Sequence, residues 1–189
     1  MRRFIFNLVS VLFSAVKFGI IKLFHFHHFF YSGIQRFSPN TEVVIAEGGT
    51  IRLGRHVRAH RRSKLLAMDG GTLEIGSNTA LGNGVSVNCM ESIVIGEGVQ
   101  IGPDTKIYDH DHDYRVPGGI GAGKFVTAPV TIGDNSWIGC NVVILRGTSI
   151  GKNCIVGAGS VLKGAYPAGS VIVQKRQTTV TVYPTGTEK

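Results

Sequence analysis

Residues 132–162 read IGDNSW IGCNVV ILRGTS IGKNCI VGAGSV L when cut into sixes, which puts Ile132, Ile138, Ile144, Ile150, Val156 and Leu162 at the head of successive blocks. A period of six is neither the 3.6 of a helix nor the 2 of a strand, so it marks a repeat architecture. The spacing predicts a short flat strand and a turn per hexapeptide, with three hexapeptides closing a triangular coil of 18 residues. One aliphatic residue per face then points inward and stacks on its equivalents in neighbouring coils, ~4.8 Å away. Gly, Asn and Asp near each corner suit the turn. A sandwich or an ordinary barrel would not produce a six-residue aliphatic period.

Working outward, the register continues in both directions. Ile132 to Ile150 to Ala168 makes two steps of 18, whereas Ile95 to Ile132 is 37, a surplus of 19 residues. Glu47-Gly48-Gly49-Thr50-Ile51-Arg52-Leu53-Gly54 matches Asp69-Gly70-Gly71-Thr72-Leu73-Glu74-Ile75-Gly76 at an offset of 22, and Ile75 to Ile95 is 20. These steps predict corner insertions of four and two residues in a prism running from about residue 41 to 173. The expected organisation is a helical segment over 1–38, the coil over 39–175 with a loop at about 111–128, and a tail over 176–189.

Charge is confined to one end. Residues 1–64 hold eleven Lys and Arg against Glu42 and Glu47, a net of +9, while residues 65–189 carry a net of −1. A basic excess at one end of a prism suits an anionic surface and argues against a nucleic-acid groove, as does the lack of aromatic residues among Arg52–Lys64. Residues 4–31 are apolar, but Lys17, Lys22, His25, His27 and His28 interrupt them. The expectation is a helix that lies in a membrane interface or caps the prism, and does not span a bilayer. No small-residue cleavage site follows it. Cys89, Cys140 and Cys154 are odd in number and lack metal-ligand spacing, which fits reduced thiols in a cytosolic setting.

The surplus between Ile107 and Ile132 contains Asp109-His110-Asp111-His112-Asp113-Tyr114 and a Gly-rich run, Gly118 to Gly123. A long loop leaving a regular solenoid is where function concentrates. A neutral imidazole can take a proton from a hydroxyl, and a nearby carboxylate or carbonyl fixes its tautomer. His-x-His with carboxylates from one loop supplies no complete metal-ligand set, so no metal is expected.

Val130-Thr131-Ile132-Gly133-Asp134-Asn135-Ser136-Trp137-Ile138-Gly139, with Gly147, Ile150-Gly151-Lys152-Asn153 and Val156-Gly157-Ala158-Gly159-Ser160-Val161, resembles the hexapeptide-repeat acyltransferases of the galactoside, maltose and polysaccharide O-acetyltransferase branch. The resemblance covers roughly residues 70–165. It implies an all-β, left-handed parallel β-helix, a homotrimer, and direct acyl transfer from acetyl-coenzyme A in a slot between two prisms. In that branch the catalytic histidine lies 17 residues after the aliphatic residue opening the preceding coil. Counted from Ile95 this is His112, with His110 as neighbour or substrate contact, and a shift of one dipeptide would exchange them. The resemblance further implies coenzyme contacts at Trp137, Gly139, Cys140, Ala158, Gly159, Lys163, Lys175 and Arg176, and acceptor contacts at Asn83, Asn88 and Asp111. The chain departs from the pattern at Leu162-Lys163-Gly164 and in its tail, Val173-Gln174-Lys175-Arg176-Gln177. The implied activity is O-acetylation of a cell-surface glycan or its lipid-linked precursor at the cytoplasmic face of a membrane. N-acetylation of an amino sugar, a non-catalytic scaffold and a zinc hydratase are the alternatives.

Overall fold

The computed structural model describes residues 2–175, 177 and 179–181, with side chains from residue 7 onward. After an N-terminal helix, Arg2–Phe24, the chain winds into a three-sided parallel β-helix, the left-handed fold expected from the hexapeptide period. The first face stacks seven strands: Phe29–Tyr31, Thr50–Leu53, Thr72–Ile75, Ser92–Ile95, Val130–Ile132, Ser149–Ile150 and Ala165–Tyr166. The second face stacks seven more, from Arg36–Phe37 to Val171–Ile172, and the third stacks six, from Glu42–Ile45 to Val161–Leu162. Every pairing within a face is parallel. The core is the axial column of inward aliphatics, among them Ile95, Ile101, Ile107, Ile132, Ile138 and Ile144, all buried.

The steps between coils confirm 22, 20, 37 and 18, through Leu53↔Ile75, Ile75↔Ile95, Ile95↔Ile132 and Ile132↔Ile150. All of that variation falls at one corner. From first to second face, and from second to third, the inward positions always advance by six, as in Ile95, Ile101 and Ile107 or Ile132, Ile138 and Ile144. From third face back to first they advance by ten (Leu65 to Ile75), eight (Val87 to Ile95), 25 (Ile107 to Ile132), six (Ile144 to Ile150) and four (Leu162 to Tyr166).

Two expectations are corrected. The last step is 16, because Ile150 pairs with Tyr166 and not Ala168: the corner Lys163-Gly164 is two residues short. The coil also begins at Phe29, ahead of the expected start near residue 41, because Phe29 and Phe37 fill the inward positions that aliphatic residues hold elsewhere.

The glycine behind each aliphatic residue has a different cause from the one expected. It does not carry the left-handed turn conformation. That falls two residues later, at Asn135 (φ 56°) and Asn153 (φ 55°), and even at His56 (φ 57°) and Arg62 (φ 59°). The glycine is needed because coils touch there: a Cβ at Gly133 would sit 2.5 Å from the backbone nitrogen of Lys152. Buried hydroxyls at the last corner position lace the coils together, as when Thr79 Oγ1 donates to the Gly96 carbonyl (2.8 Å) and Thr105 Oγ1 to the Gly139 carbonyl (3.0 Å).

Each end of the prism is finished differently. At the far end the third face has one strand fewer, and the Gln174 side chain stands in for it. Its amide donates to the Val161 carbonyl (2.6 Å) and its Oε1 accepts the Val161 N–H (2.9 Å). At the near end Phe18 is fully buried, edge-on to Phe29 (5.0 Å), Tyr31 (5.3 Å) and Phe37 (4.9 Å). Ser14 Oγ accepts the Phe37 N–H (2.8 Å), Lys17 Nζ donates to the Thr41 carbonyl, and Lys22 Nζ donates to the Phe29 carbonyl (2.7 Å). Desolvation lowers the Lys17 pKa against the counter-pull of Glu42. Lys17 and Lys22 do not break the apolar run as expected. Asn7–Phe24 has a mean hydropathy of 1.7 and is long and apolar enough to cross a bilayer by length and composition, yet the helix is folded back as the plug of the coil.

Phe18→Ala should destabilise the fold by about 3–5 kcal/mol, read as a lower urea midpoint at unchanged slope; an unchanged midpoint would show the helix to be no part of the core. Gly133→Ala should cost about 1–3 kcal/mol. At Gly121 a Cβ meets nothing within 4 Å, so Gly121→Ala should be near neutral in the same titration.

Candidate active site

The 25-residue step leaves the coil as an antiparallel hairpin. His110–His112 pairs with Phe125–Thr127 in the register His110↔Thr127, Asp111↔Val126, His112↔Phe125, and a short 3-10 turn, Gly119–Ala122, lies between the two strands. Alternation along a strand sends His110 and His112 to one side and Asp111 to the other. Both imidazoles flank Phe125, at 5.6 Å (His110, edge-on) and 4.6 Å (His112, tilted) between ring centres. Asp111 reaches the following coil, where Arg146 Nε donates to its Oδ2 at 2.6 Å. The expected acceptor contact at Asp111 is thus a carboxylate already engaged in pinning the hairpin.

The root of the hairpin is Asp109, whose side chain is completely buried. Earlier third-to-first corners close on themselves: Gly49 N–H bonds to the Ala46 carbonyl (2.9 Å) and Gly71 N–H to the Met68 carbonyl (2.8 Å). The next corner, Met90-Glu91, is two residues shorter and aims its donors at Asp109 instead. Oδ1 accepts the Met90 N–H (2.9 Å), and Oδ2 accepts those of Glu91 (2.8 Å) and Ser92 (2.9 Å). His110 Nδ1 lies 2.9 Å from Oδ1. An ionised carboxylate only accepts, so Nδ1 carries the proton and Nε2 is the bare, basic nitrogen.

Burial pushes the Asp109 carboxyl up, but the His110 bond and the Glu91 and Met90 N–H groups outweigh it, so its pKa lies below the usual carboxylate value. The same charge, after burial itself, drives the adjacent Cys89 thiol far up, which leaves that cysteine inert. His110 is 15% exposed while His112 is open to solvent.

Of the residues singled out in the sequence, one chain brings together only part. His110, His112 and Asp111 share the hairpin, and Asn88 pairs with Tyr108 beside its root, its side-chain amide donating to Ser86 Oγ (3.0 Å). Lys163 is exposed at the same corner two coils on. Trp137 lies on the second face, which is opposite that corner in a triangular prism, and is 56% exposed. Gly139, Cys140, Ala158 and Gly159 stack at the corner between second and third faces, where the Gly159 N–H donates to the Cys140 carbonyl (2.8 Å), and Asn83 lies on that corner too. Lys175 follows the last strand, and Arg176 lies outside the described residues. A broad groove of about 900 Å³ runs along the first face past Arg52, Glu74 and Asp134, and neither histidine lines it. Among the described residues no group of three or more His, Cys, Asp and Glu is placed to hold a metal ion. The spacing did not reveal Asp109 as the buried partner or Arg146 as the clamp. The signal for the first was the shortened corner one coil earlier.

Residues 129–164 match the family model described as bacterial transferase hexapeptide (six repeats). A Mycobacterium tuberculosis protein classed as a probable acetyltransferase is 34% identical over 126 residues, 65% of this chain and 41% of that protein. An Escherichia coli protein carrying the name of a lipopolysaccharide biosynthesis O-acetyl transferase is 29% identical over 138 residues, 68% of this chain and 69% of its own length. The chain therefore spans from about two-fifths to about two-thirds of these relatives. A hexapeptide-repeat acetyltransferase of Vibrio cholerae, solved with acetyl-coenzyme A, superposes with a TM-score of 0.52 at 25% identity, covering 82% of this chain and 69% of the other. With the six-residue coil and the single-corner excursion in place, these matches show transferase hexapeptide repeats over residues 129–164 and a likeness to acetyltransferases over about two thirds of the chain.

Proposed function

We propose that this protein is an acetyl-coenzyme A-dependent O-acetyltransferase that modifies a hydroxyl of a saccharide, either a cell-surface glycan or its lipid-linked precursor. The observation that carries the reading is the hairpin braced at its root by Asp109, with the imidazole of His112 held two residues beyond His110, on the same side as His110 and open to solvent. His112 accepts the proton of the acceptor hydroxyl while the hydroxyl oxygen attacks the thioester carbonyl carbon. Collapse of that adduct breaks the C–S bond, and the imidazolium returns the proton to the departing coenzyme thiolate. No acyl-enzyme forms, and the deeply buried Cys89 plays no part. The O-acetyl transferase name of the E. coli relative and the acetyl-coenzyme A bound to the Vibrio protein support the donor and the ester product.

The two groups of residues on separate corners are joined when prisms pack side by side as a homotrimer. The histidine hairpin of one subunit then meets the Trp137 face and the Cys140, Ala158-Gly159 corner of its neighbour. Gly139 shapes that corner, with Lys163 and Lys175 as cations for the coenzyme phosphates. Since the Gly159 N–H is spent on Cys140, coenzyme contact there falls to other atoms of the corner. Asn88 and Asn83 are the acceptor contacts. In a second reading, favoured by the Asp109 bond that leaves Nε2 basic, His110 is the base and His112 a substrate contact.

His112→Ala should reduce kcat by about 10²–10⁴-fold with sedimentation and circular dichroism unchanged. Activity retained in that variant but lost in His110→Ala would transfer the role to His110. Mass spectrometry of the product before and after mild base separates ester, which is cleaved, from amide. Because the folded Asp109 carboxyl is the stronger acid, its contribution to stability is complete above its unfolded pKa of about 3.9 and is lost as pH falls through the folded value. Asp109→Asn should cost about 1–3 kcal/mol at neutral pH and flatten the loss of stability in acid, followed by denaturant titration across pH.

A further inference from the structure

The N-terminal helix has two faces, and the coil uses only one. Ser10, Ser14 and Phe18 turn inward and are buried. Leu8, Leu12, Val16, Ile20, Leu23 and Phe24 form an outward stripe at helical spacing, with exposures from 50% at Leu8 to 77% at Leu23. Phe26 and Ile34 extend it onto the adjoining loop and corner. An apolar surface this continuous on a folded chain marks a contact surface.

What surrounds the stripe is cationic. The second coil, one ~4.8 Å step beyond the first coil on which the helix sits, exposes Arg55, Arg61 and Arg62 together with His56 and His60. Between helix and coil a groove of about 370 Å³ is lined by Val11 and Ile34 on one side and by Arg36, His56, Arg58 and Asn78 on the other. Burial, followed by the charges of Arg36 and Arg58, lowers the His60 pKa, which registers the positive potential there. Two acidic side chains reach this region: Glu42 pairs with Lys64 and Glu74 with Arg52, each at 3.5 Å.

We propose that the helix stripe and the basic second coil form one docking surface for an anionic lipid bilayer, with the helix lying in the plane of the interface. Apolar side chains would enter the acyl boundary while the arginines meet lipid phosphates, and the groove, apolar on one wall and cationic on the other, suits a phospholipid headgroup and the start of its chain. The bonds of Ser14, Lys17 and Lys22 hold the helix across the first coil, so docking needs no rearrangement, whereas spanning would require the plug to be withdrawn. The inference does not depend on acyl transfer, and its test contains neither coenzyme nor acceptor, so the two readings fail separately.

The full chain is sedimented with phosphatidylcholine vesicles with and without phosphatidylglycerol. Binding should be at least about tenfold stronger with the anionic lipid at low salt and should weaken as salt screens it. Leu12→Gln/Val16→Gln/Ile20→Gln changes only exposed positions and should weaken partitioning about tenfold or more. Arg55→Gln/Arg62→Gln should remove most of the preference for phosphatidylglycerol with the stripe intact, and tests the inference even where the triple variant misfolds. Failure of the wild-type chain to bind either vesicle, or equal binding by all variants, overturns the proposal. A smaller assembly for the triple variant, without vesicle binding by the wild type, would instead assign the stripe to a contact between copies of the chain.

Discussion

Every feature of this molecule follows from the parallel hydrogen-bond ladders that join each strand to the coils above and below it. A strand bonded on both edges cannot gain or lose a residue without breaking two ladders, so extra chain must leave between faces. Where coils also touch at the corner glycines, as at Gly133 against Lys152, even a methyl group is excluded. Two of the three corners are held in this way at constant length. The corner between third and first faces accepts anything from two residues too few to 19 too many, and the histidine hairpin is the extreme case.

That excursion is kept rigid by electrostatics. A buried carboxylate is costly without partners, and Asp109 has three backbone N–H groups, an imidazole and the Cys89 thiol. The Met90-Glu91 corner has lost the self-closing turn of its predecessors and needs an acceptor, while Asp109 needs donors. Each solves the other's problem, and the result fixes the strand that carries both histidines. Arg146, gripping Asp111 from the next coil, prevents the hairpin from rotating about that root.

The aliphatic period, the insertion and its offsets were legible in sequence because inward side chains must be large and apolar at fixed spacing. The first coil was not, since Phe29 and Phe37 occupy its inward positions and no glycine follows them. Nor was the shortened last coil, because Tyr166 breaks the aliphatic series where the corner contracts. His110 and His112 could be found as chemistry out of register. The partner of His110 left only the indirect signal of the shortened corner one coil earlier, because the groups that join His110 in keeping Asp109 ionised are mostly backbone amides, which leave no letter in the sequence. The separation of Trp137 from the histidines needed the third dimension: both lie near the insertion along the axis, on opposite sides of the prism.

A β-helix with two bare ends is the growing tip of a fibril, because each terminal coil offers a complete set of unpaired strands to the next molecule. Here Phe18 seats a helix over one end, and the Gln174 amide occupies the third-face edge at the other. Pairing to a further strand is thereby opposed over the first coil and along the third face of the last.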